Sequence, residues 1–239
     1  MRATRVSART LREVTADLRK EDRDEMAVPS YTHPNPLIRW LFWSRLDAAL
    51  ELAGLRPGLR VVDFASGSGV LLPSLVAAGC RVAATDPIPA PWMSHARSAR
   101  LPVEAIPFER LAAWTDAHEG TIDVLFALDV LEHVSDEELP ALSVTFARLL
   151  GADGLLVTSG ATETIPYRIA RALAGFKGEY HHRSIFDVHR ALEPEWIRIR
   201  RRELPPHPLP HGFVVSSYGP RVRGQNRASS PRAPSAAED

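Results

Sequence analysis

The chain has 239 residues, 45% of them hydrophobic and 24% charged, which suits one well-buried domain and is too short for two full ones. Basic and acidic residues number 29 each, so no global positive field favours nucleic acid, and a small, roughly neutral partner fits better. The only cysteine is Cys80, which excludes an internal disulfide or a C-x-x-C zinc site and favours a reducing, cytoplasmic location.

Residues 1–30 are charged throughout and contain no apolar run typical of a secretory signal. We expect them to form a disordered or frayed N-terminal arm, although three leucine and valine positions have helical spacing. The structured domain is then expected to cover residues 31–219.

Asn35 followed by Pro36 predicts the start of a helix, which ends at Gly54. Charged residues, Arg39 among them, interrupt its apolar surface, so stable membrane insertion is not expected and packing on a sheet is favoured. Two alternatives stay open for this helix. It could be a lid over a bound ligand, with Arg39 reaching an anionic group, or a helix lying in a membrane interface.

Residues 61–86 predict a strand, a glycine turn, a helix and a second strand. Gly67 and Gly69 permit positive φ and a close approach of the backbone to a ligand, and the helix start that follows suits a polar or anionic group. The second strand ends at Asp86, where a carboxylate can accept hydrogen bonds from ribose hydroxyls. Leu72 stands where a dinucleotide fingerprint needs a third glycine, and no P-loop run is present. The pattern predicts an adenosine-like ligand other than NAD.

Three further elements are predicted after this unit: a helix over residues 87–100, a strand over 101–106 and a strand over 121–128. Phe108 follows the first of these strands and is expected either beside an adenine or in the core. The near-continuous apolar run that ends at Leu128 is typical of a strand buried on both faces of a parallel sheet. Helices should therefore cover both sides of the sheet.

The loop with Asp63, Ala65, Gly67 and Gly69 resembles motif I of class I S-adenosyl-L-methionine-dependent methyltransferases, D-x-G-x-G-x-G, with alanine in place of the first glycine. Residues 122–160 resemble the fourth strand, fourth helix and fifth strand of the same class. The resemblance implies a single α/β domain, doubly wound and Rossmann-like, with a seven-stranded, mostly parallel sheet whose final strand is antiparallel. It also implies methyl transfer from S-adenosyl-L-methionine to a small-molecule acceptor.

The same resemblance implies roles for individual residues. The glycines would approach the methionyl part of the cofactor, Asp63 would hold the loop, and Asp86 would bind the ribose. Phe108 and Leu128 would flank the adenine or the cofactor's edge. The predicted cofactor-binding residues are Arg39, Asp63, Ala65, Gly67, Gly69, Asp86, Phe108 and Leu128.

Short runs at residues 35–37, 131–134 and 177–181 are loosely similar to ubiquinone-biosynthesis O-methyltransferases, which implies a hydroxyl oxygen as acceptor. Some members of that group place acid-x-x-Glu-His where a divalent ion can bind, and Asp129, Glu132 and His133 match this spacing on one helical face. We expect no metal, because magnesium prefers more oxygen ligands, and we expect Glu132 and His133 to cap the helix.

Residues 161–192 are expected to form an insertion on the acceptor side of the sheet. Tyr180, His181 and His182 are expected to face the acceptor, with the two histidines as candidate catalytic bases. His189 is expected to be exposed. Two strands, over 196–202 and 212–218, and a disordered tail over 220–239 complete the chain.

The alternative to an enzyme is a non-catalytic binding or interaction module that has kept the methyltransferase fold. The sequence leaves open the identity of the acceptor, the atom that is methylated and the oligomeric state.

Overall fold

The computed structural model describes residues 1–173, 183–207 and 209–221. Within these residues, seven strands form one sheet in the order β3-β2-β1-β4-β5-β7-β6. Strands β1 to β5 are parallel to one another, and β7 is antiparallel to both β5 and β6. The predicted seven-stranded, mostly parallel sheet is confirmed. The strands are β1 (Arg60–Phe64), β2 (Arg81–Thr85), β3 (Val103–Ala105), β4 (Ile122–Leu128), β5 (Leu150–Ala161), β6 (Trp196–Leu204) and β7 (Phe213–Pro220).

Helices cover both faces of the sheet, and a short 3-10 helix spans Phe108–Arg110. None of the helices in the described part of the chain is long and apolar enough to cross a membrane. The helices are α1 (Ala8–Val14), α2 (Lys20–Glu25), α3 (Val28–Tyr31), α4 (Pro36–Ala53), α5 (Leu72–Ala77), α6 (Ala90–Ser98), α7 (Leu111–Ala117), α8 (Glu138–Leu149), α9 (Ile165–Leu173) and α10 (Ile185–Leu192).

The core consists of two apolar layers separated by the sheet. Successive strand residues point to opposite faces, so Val61 belongs to the layer with α1 and α4 to α6, whereas Val62 belongs to the layer with α8 and α10. Strand β4 follows the same alternation and is buried at all of Val124 to Ala127. This double burial explains why its sequence is a continuous apolar run instead of an alternating one.

Helix α4 begins and ends as its sequence predicts. The Asn35 side chain accepts a hydrogen bond from the N–H of Leu37 at 2.9 Å, and Gly54 closes the helix in the left-handed region, with φ 59°. The helix packs on strands β5, β6 and β7. The interpretation as a helix packed on the sheet is therefore confirmed.

Residues 1–30 do not form the disordered or frayed arm that their charge suggested. They form α1, α2 and most of α3, and the Leu11 side chain is fully buried. The N–H of Ala3 donates to Asp47 at 2.6 Å, and that of Thr4 donates to the Ser74 hydroxyl at 2.8 Å. The prediction was wrong because it relied on the average composition of the segment, whereas a few of its apolar side chains are buried against the domain.

His189 on α10 is buried, whereas we expected it to be exposed. Its Nδ1 lies 3.4 Å from the Arg198 guanidinium, and its Nε2 lies 3.4 Å from the Ser216 hydroxyl. Burial, and then the positive charges of Arg198 and Arg201, lower the pKa of His189 to about 4. The imidazole is therefore neutral in the folded protein at neutral pH.

Lowering the pH from about 7 to about 5 should reduce the free energy of unfolding by about 2 kcal/mol through His189. The folded pKa, about 4, lies below the unfolded value, so only the unfolded chain takes up a proton in this window. Stability linked to this group is complete above the unfolded pKa and is lost as the pH falls towards the folded one. Urea titrations at several pH values give the free energy of unfolding of the parent and of His189→Gln. It should fall more steeply with falling pH in the parent, and an equal pH dependence in both proteins would contradict the prediction.

Candidate active site

A cavity of about 260 Å³ lies at the carboxyl ends of β1, β2 and β4. Its walls are the loop after β1 (residues 65–68), the segment after β2 (86–88) and the end of β4 (128–130). The N-terminal segment also lines the cavity, through residues of α2, of α3 and of the stretch between these two helices. This edge is where open α/β sheets bind ligands.

The loop after β1 and the carboxylate after β2 are joined by hydrogen bonds. Ala65 and Gly67 both have positive φ, 57° and 54°, so the chain turns sharply above β1. The N–H of Gly67 donates to Asp86 Oδ2 at 2.7 Å, and the N–H of Ile88 donates to Asp86 Oδ1 at 2.7 Å. Each carboxylate oxygen keeps lone-pair capacity for a further donor, so Asp86 can still accept ligand hydroxyls.

The two glycines of the loop are required for different reasons. A Cβ on Gly67 would lie 3.4 Å from the Met26 side chain, at the cavity. A Cβ on Gly69 would lie 3.1 Å from the Trp92 backbone, and Gly69 does not line the cavity. The missing side chain of Gly69 thus admits α6, and the approach of Gly69 to the cofactor stays a prediction.

Asp63 lies beneath the loop with only 4% of its surface exposed. Burial, and then the negative charge of Asp86, raise the pKa of Asp63 to about 7. Among the described residues, neither Asp63 Oδ2 nor the buried Ser68 hydroxyl has a hydrogen-bond partner, although both residues line the cavity. Such orphaned polar atoms, beside a loop kept open by Gly67, fit a polar ligand bound at this position.

The wall formed by the end of β4 holds an ion pair between Arg45, which is buried, and Asp129, which is partly exposed. The Arg45 guanidinium, 2% exposed, lies 2.5 Å from Asp129 Oδ2 and donates to the Tyr31 hydroxyl at 3.3 Å. Asp129 follows β4 directly and has a left-handed backbone, with φ 53°. Its second oxygen accepts from the Ser159 hydroxyl at 2.8 Å. Both oxygens of this carboxylate are therefore already engaged by protein groups.

Residues 129–134 form a turn, and α8 begins only at Glu138. The expectation that Asp129, Glu132 and His133 share one helical face was therefore wrong, as was the expectation that Glu132 and His133 cap the helix. Ser135 and Glu138 exchange hydrogen bonds at that helix start instead. Glu132 is buried, and burial together with the charge of Asp129 raises its pKa to about 8.

Two residues that we predicted to bind cofactor lie elsewhere. The Arg39 guanidinium donates to the backbone carbonyls of His33 and Pro34, before α4, and does not line the cavity. Phe108 is 41% exposed and packs on Phe64, with ring centroids 6.2 Å apart, outside the cavity lining. Both residues therefore lie outside the cavity lining, and their role in cofactor binding stays a prediction.

The remaining predicted residues divide into two groups. Asp63, Ala65, Gly67, Asp86 and Leu128 all line the cavity, as their positions at strand ends predicted. The acceptor candidates at positions 180–182, including His181 and His182, lie outside the described residues.

Sequence reasoning missed the contributions of Met26, Tyr31 and Arg45 to the cavity lining. Arg45 could have been noticed, because an arginine within an otherwise apolar stretch of α4 needs a partner if it is buried. The other two lie in or next to the segment that we expected to be an arm, and no sequence pattern indicated their place.

Comparison with known proteins agrees with this geometry. A family model described as a methyltransferase domain matches residues 37–194, which include all three walls of the cavity. The chain belongs to the methyltransferase-domain family. The predicted class, class I S-adenosylmethionine-dependent methyltransferases, is thereby confirmed, and the methyl donor of this methyltransferase is S-adenosylmethionine.

The chain is also similar to curated relatives and, in fold, to solved structures. A ubiquinone biosynthesis O-methyltransferase of Rhizobium etli is 32% identical over 127 residues, which cover 51% of this chain and 48% of the relative. The chain thus spans about half the length of the curated relatives it matches. The N-methyltransferase NodS from Bradyrhizobium japonicum, in complex with S-adenosyl-L-homocysteine, aligns with a TM-score of 0.63 at 15% identity, covering 89% of this chain and 99% of that one.

A third comparison is with magnesium protoporphyrin IX methyltransferase from Synechocystis, also with bound S-adenosylhomocysteine. It aligns with a TM-score of 0.61 at 18% identity and covers 90% of this chain and all of that one, 100%. At such low identities the structural likeness establishes the fold alone. The fold and the family therefore agree, while the acceptor is a separate question.

Proposed function

We propose that this methyltransferase transfers the methyl group of S-adenosylmethionine to a hydroxyl oxygen of a small-molecule acceptor. The proposal is supported mainly by the hydrogen bond between the loop after β1 and the carboxylate after β2, in which the Gly67 N–H donates to Asp86 at the carboxyl edge of the sheet. The choice of oxygen is supported by the curated relatives, which are named O-methyltransferases.

The residues of the cavity fit the cofactor in distinct roles. Asp86 would accept the ribose hydroxyls, and Gly67 would leave room for the methionyl part beside the loop. Leu128, at the end of β4, would pack against the cofactor's edge. When bound, S-adenosylmethionine supplies a methyl group already activated by its sulfonium, so the protein has to align the acceptor and exclude water. Few catalytic side chains are then needed.

On the acceptor side, we assign His181 and His182 as the groups that take the hydroxyl proton, as their sequence position suggests. A histidine with an ordinary pKa can accept a proton at neutral pH. A cytoplasmic location and the lack of a nucleic-acid partner also remain predictions from composition.

Methyl transfer can be followed before the acceptor is identified. The purified protein is incubated with methyl-deuterated S-adenosylmethionine and a small-molecule metabolite extract, and mass spectrometry detects both S-adenosylhomocysteine and the deuterated product. We expect a product whose fragmentation places the label on oxygen. Gly67→Val, which should not bind the cofactor, is the matched control.

Two other results would contradict the proposal. A label found on nitrogen or carbon would overturn the assignment to oxygen. Calorimetric binding of S-adenosylmethionine with no transfer to any component of the extract would favour the non-catalytic binding module instead.

A further inference from the structure

The acid-x-x-Glu-His run, residues 129–133, has a spacing that could hold a divalent ion, but its geometry here does not fit one. Asp129 gives one oxygen to Arg45 and the other to the Ser159 hydroxyl. Glu132 is buried against β5, where a Cβ on Gly160 would lie only 3.2 Å from its carboxyl. Across the described residues, no group of three or more His, Cys, Asp or Glu side chains has a metal-binding arrangement. A divalent ion bound to Asp129 would lie beside the positive charge of the Arg45 guanidinium, 2.5 Å from Asp129 Oδ2, and the two cations would repel each other.

The position of a cation is instead taken by a side chain. Arg45 is 2% exposed, and its guanidinium lies 4.5 Å from the Phe42 ring centroid and 4.7 Å from that of Phe213. Aromatic faces on both residues attract the charge and restrict the plane of the guanidinium. Arginine keeps its charge at every pH that the fold survives, so this cation is permanent.

The ion pair also has a defined mechanical consequence. Asp129 has a left-handed backbone, which costs free energy for a residue other than glycine, and its N–H donates to the Ser159 carbonyl at 2.9 Å. The side chain of Asp129 is held between Arg45, which contacts Oδ2, and the Ser159 hydroxyl of β5, which donates to Oδ1. Leu128, Asp129 and Arg45 all line the cavity, so the ion pair determines the shape of this wall.

We propose that the buried guanidinium of Arg45 is the cation of this site and holds Asp129 as a wall of the cofactor cavity, so that the acid-x-x-Glu-His run takes up no divalent ion. Arg45 is thus a positioning residue, which acts through Asp129. The inference depends on the cofactor and not on the acceptor proposed above.

Manganese, a paramagnetic probe for divalent-ion sites, tests whether the acid-x-x-Glu-His run takes up a divalent ion. Titrating Mn²⁺ into the parent protein should leave the electron paramagnetic resonance signal of the free ion undiminished. The calorimetric affinity for S-adenosylmethionine should be the same in EDTA and in Mg²⁺. Uptake of one Mn²⁺ per chain, or an affinity that falls in EDTA and returns with Mg²⁺, would overturn it.

Substitutions test the positioning role. Arg45→Met should weaken S-adenosylmethionine binding about tenfold or more, the effect of losing a charged hydrogen bond, whereas Arg45→Lys, which keeps the charge, should stay closer to the parent. Arg148→Met is the matched control, because Arg148 pairs with Asp116 and Glu119 on the surface. Its affinity should equal that of the parent.

The double variant Arg45→Met with Asp129→Asn removes both charges and keeps the test valid if Arg45→Met does not fold. We expect it to recover the thermal midpoint of the parent but not the affinity. Recovery of both would show that the pair only stabilises the fold and would overturn the positioning role. None of these measurements uses an acceptor, so a failure of the proposed O-methylation would leave their outcomes unchanged.

Discussion

Replacing Gly67 by valine should abolish binding of S-adenosylmethionine. Gly67 has φ +54°, and a Cβ there would lie 3.4 Å from Met26 at the cavity. A left-handed backbone costs a valine about 1–2 kcal/mol, and a loop that shifts to relieve this strain loses the 2.7 Å bond to Asp86, about 1.5–3 kcal/mol. Because a shifted loop no longer carries the strain, the lost hydrogen bond alone lowers the affinity about ten- to a hundredfold, and the valine side chain at the cavity adds to this loss. Isothermal titration calorimetry measures the affinity of the variant for S-adenosylmethionine.

Gly120→Val is the matched control for this loss. Gly120 also has positive φ, +66°, but nothing lies within 4 Å of a Cβ built there, and it precedes β4 at the opposite edge of the sheet. This variant should lower the thermal midpoint through the same backbone strain while the affinity stays that of the parent. If Gly67→Val bound as tightly as Gly120→Val, the loop would not contact the ligand.

The second large effect is expected for Asp86→Ala, which should weaken cofactor binding by about 1.5–3 kcal/mol, or about ten- to a hundredfold. The alanine removes the acceptor for ribose hydroxyls and also the two hydrogen bonds that hold Gly67 and Ile88. Asp86→Asn should fall between, since its amide oxygen can keep one of these bonds. Calorimetry of both variants gives the graded comparison.

Asp123→Ala tests whether such a loss is specific to the site. Asp123 likewise accepts a backbone N–H from a neighbouring strand, that of Arg60 at 2.7 Å, but it lies at the start of β4, away from the cavity. Its removal should cost stability and leave the affinity unchanged. An Asp86→Ala protein that binds the cofactor like the parent would refute the ribose assignment.

The sequence was sufficient for those parts of the site that depend on local order. The run from β1 to β2 contains its own turn glycines and closes on Asp86, so strand, loop and carboxylate follow from adjacent residues. Four predicted residues of this run line the cavity for this reason, and Gly67 and Asp86 share a hydrogen bond. The continuous apolar run of β4 likewise indicated a parallel sheet covered on both faces.

The tertiary structure alone decided which distant side chains complete the site. Arg39 and Arg45 lie six residues apart on α4, which places them about 240° apart around the helix axis. Only packing on the sheet determines which of the two faces the cavity, and it buries Arg45 while Arg39 bonds to the preceding carbonyls.

The N-terminal segment and His189 show the same limit. Met26 covers the glycine loop from a segment whose composition resembles a disordered arm, and His189 is buried by strands that follow it in the chain. Burial depends on contacts between residues far apart in sequence, whereas periodicity and turn chemistry depend only on neighbours. The sequence by itself therefore determined the sheet and the cofactor loop. Tertiary packing decided that the N-terminal segment covers the cavity, that Arg45 is buried beside it and that His189 is neutral.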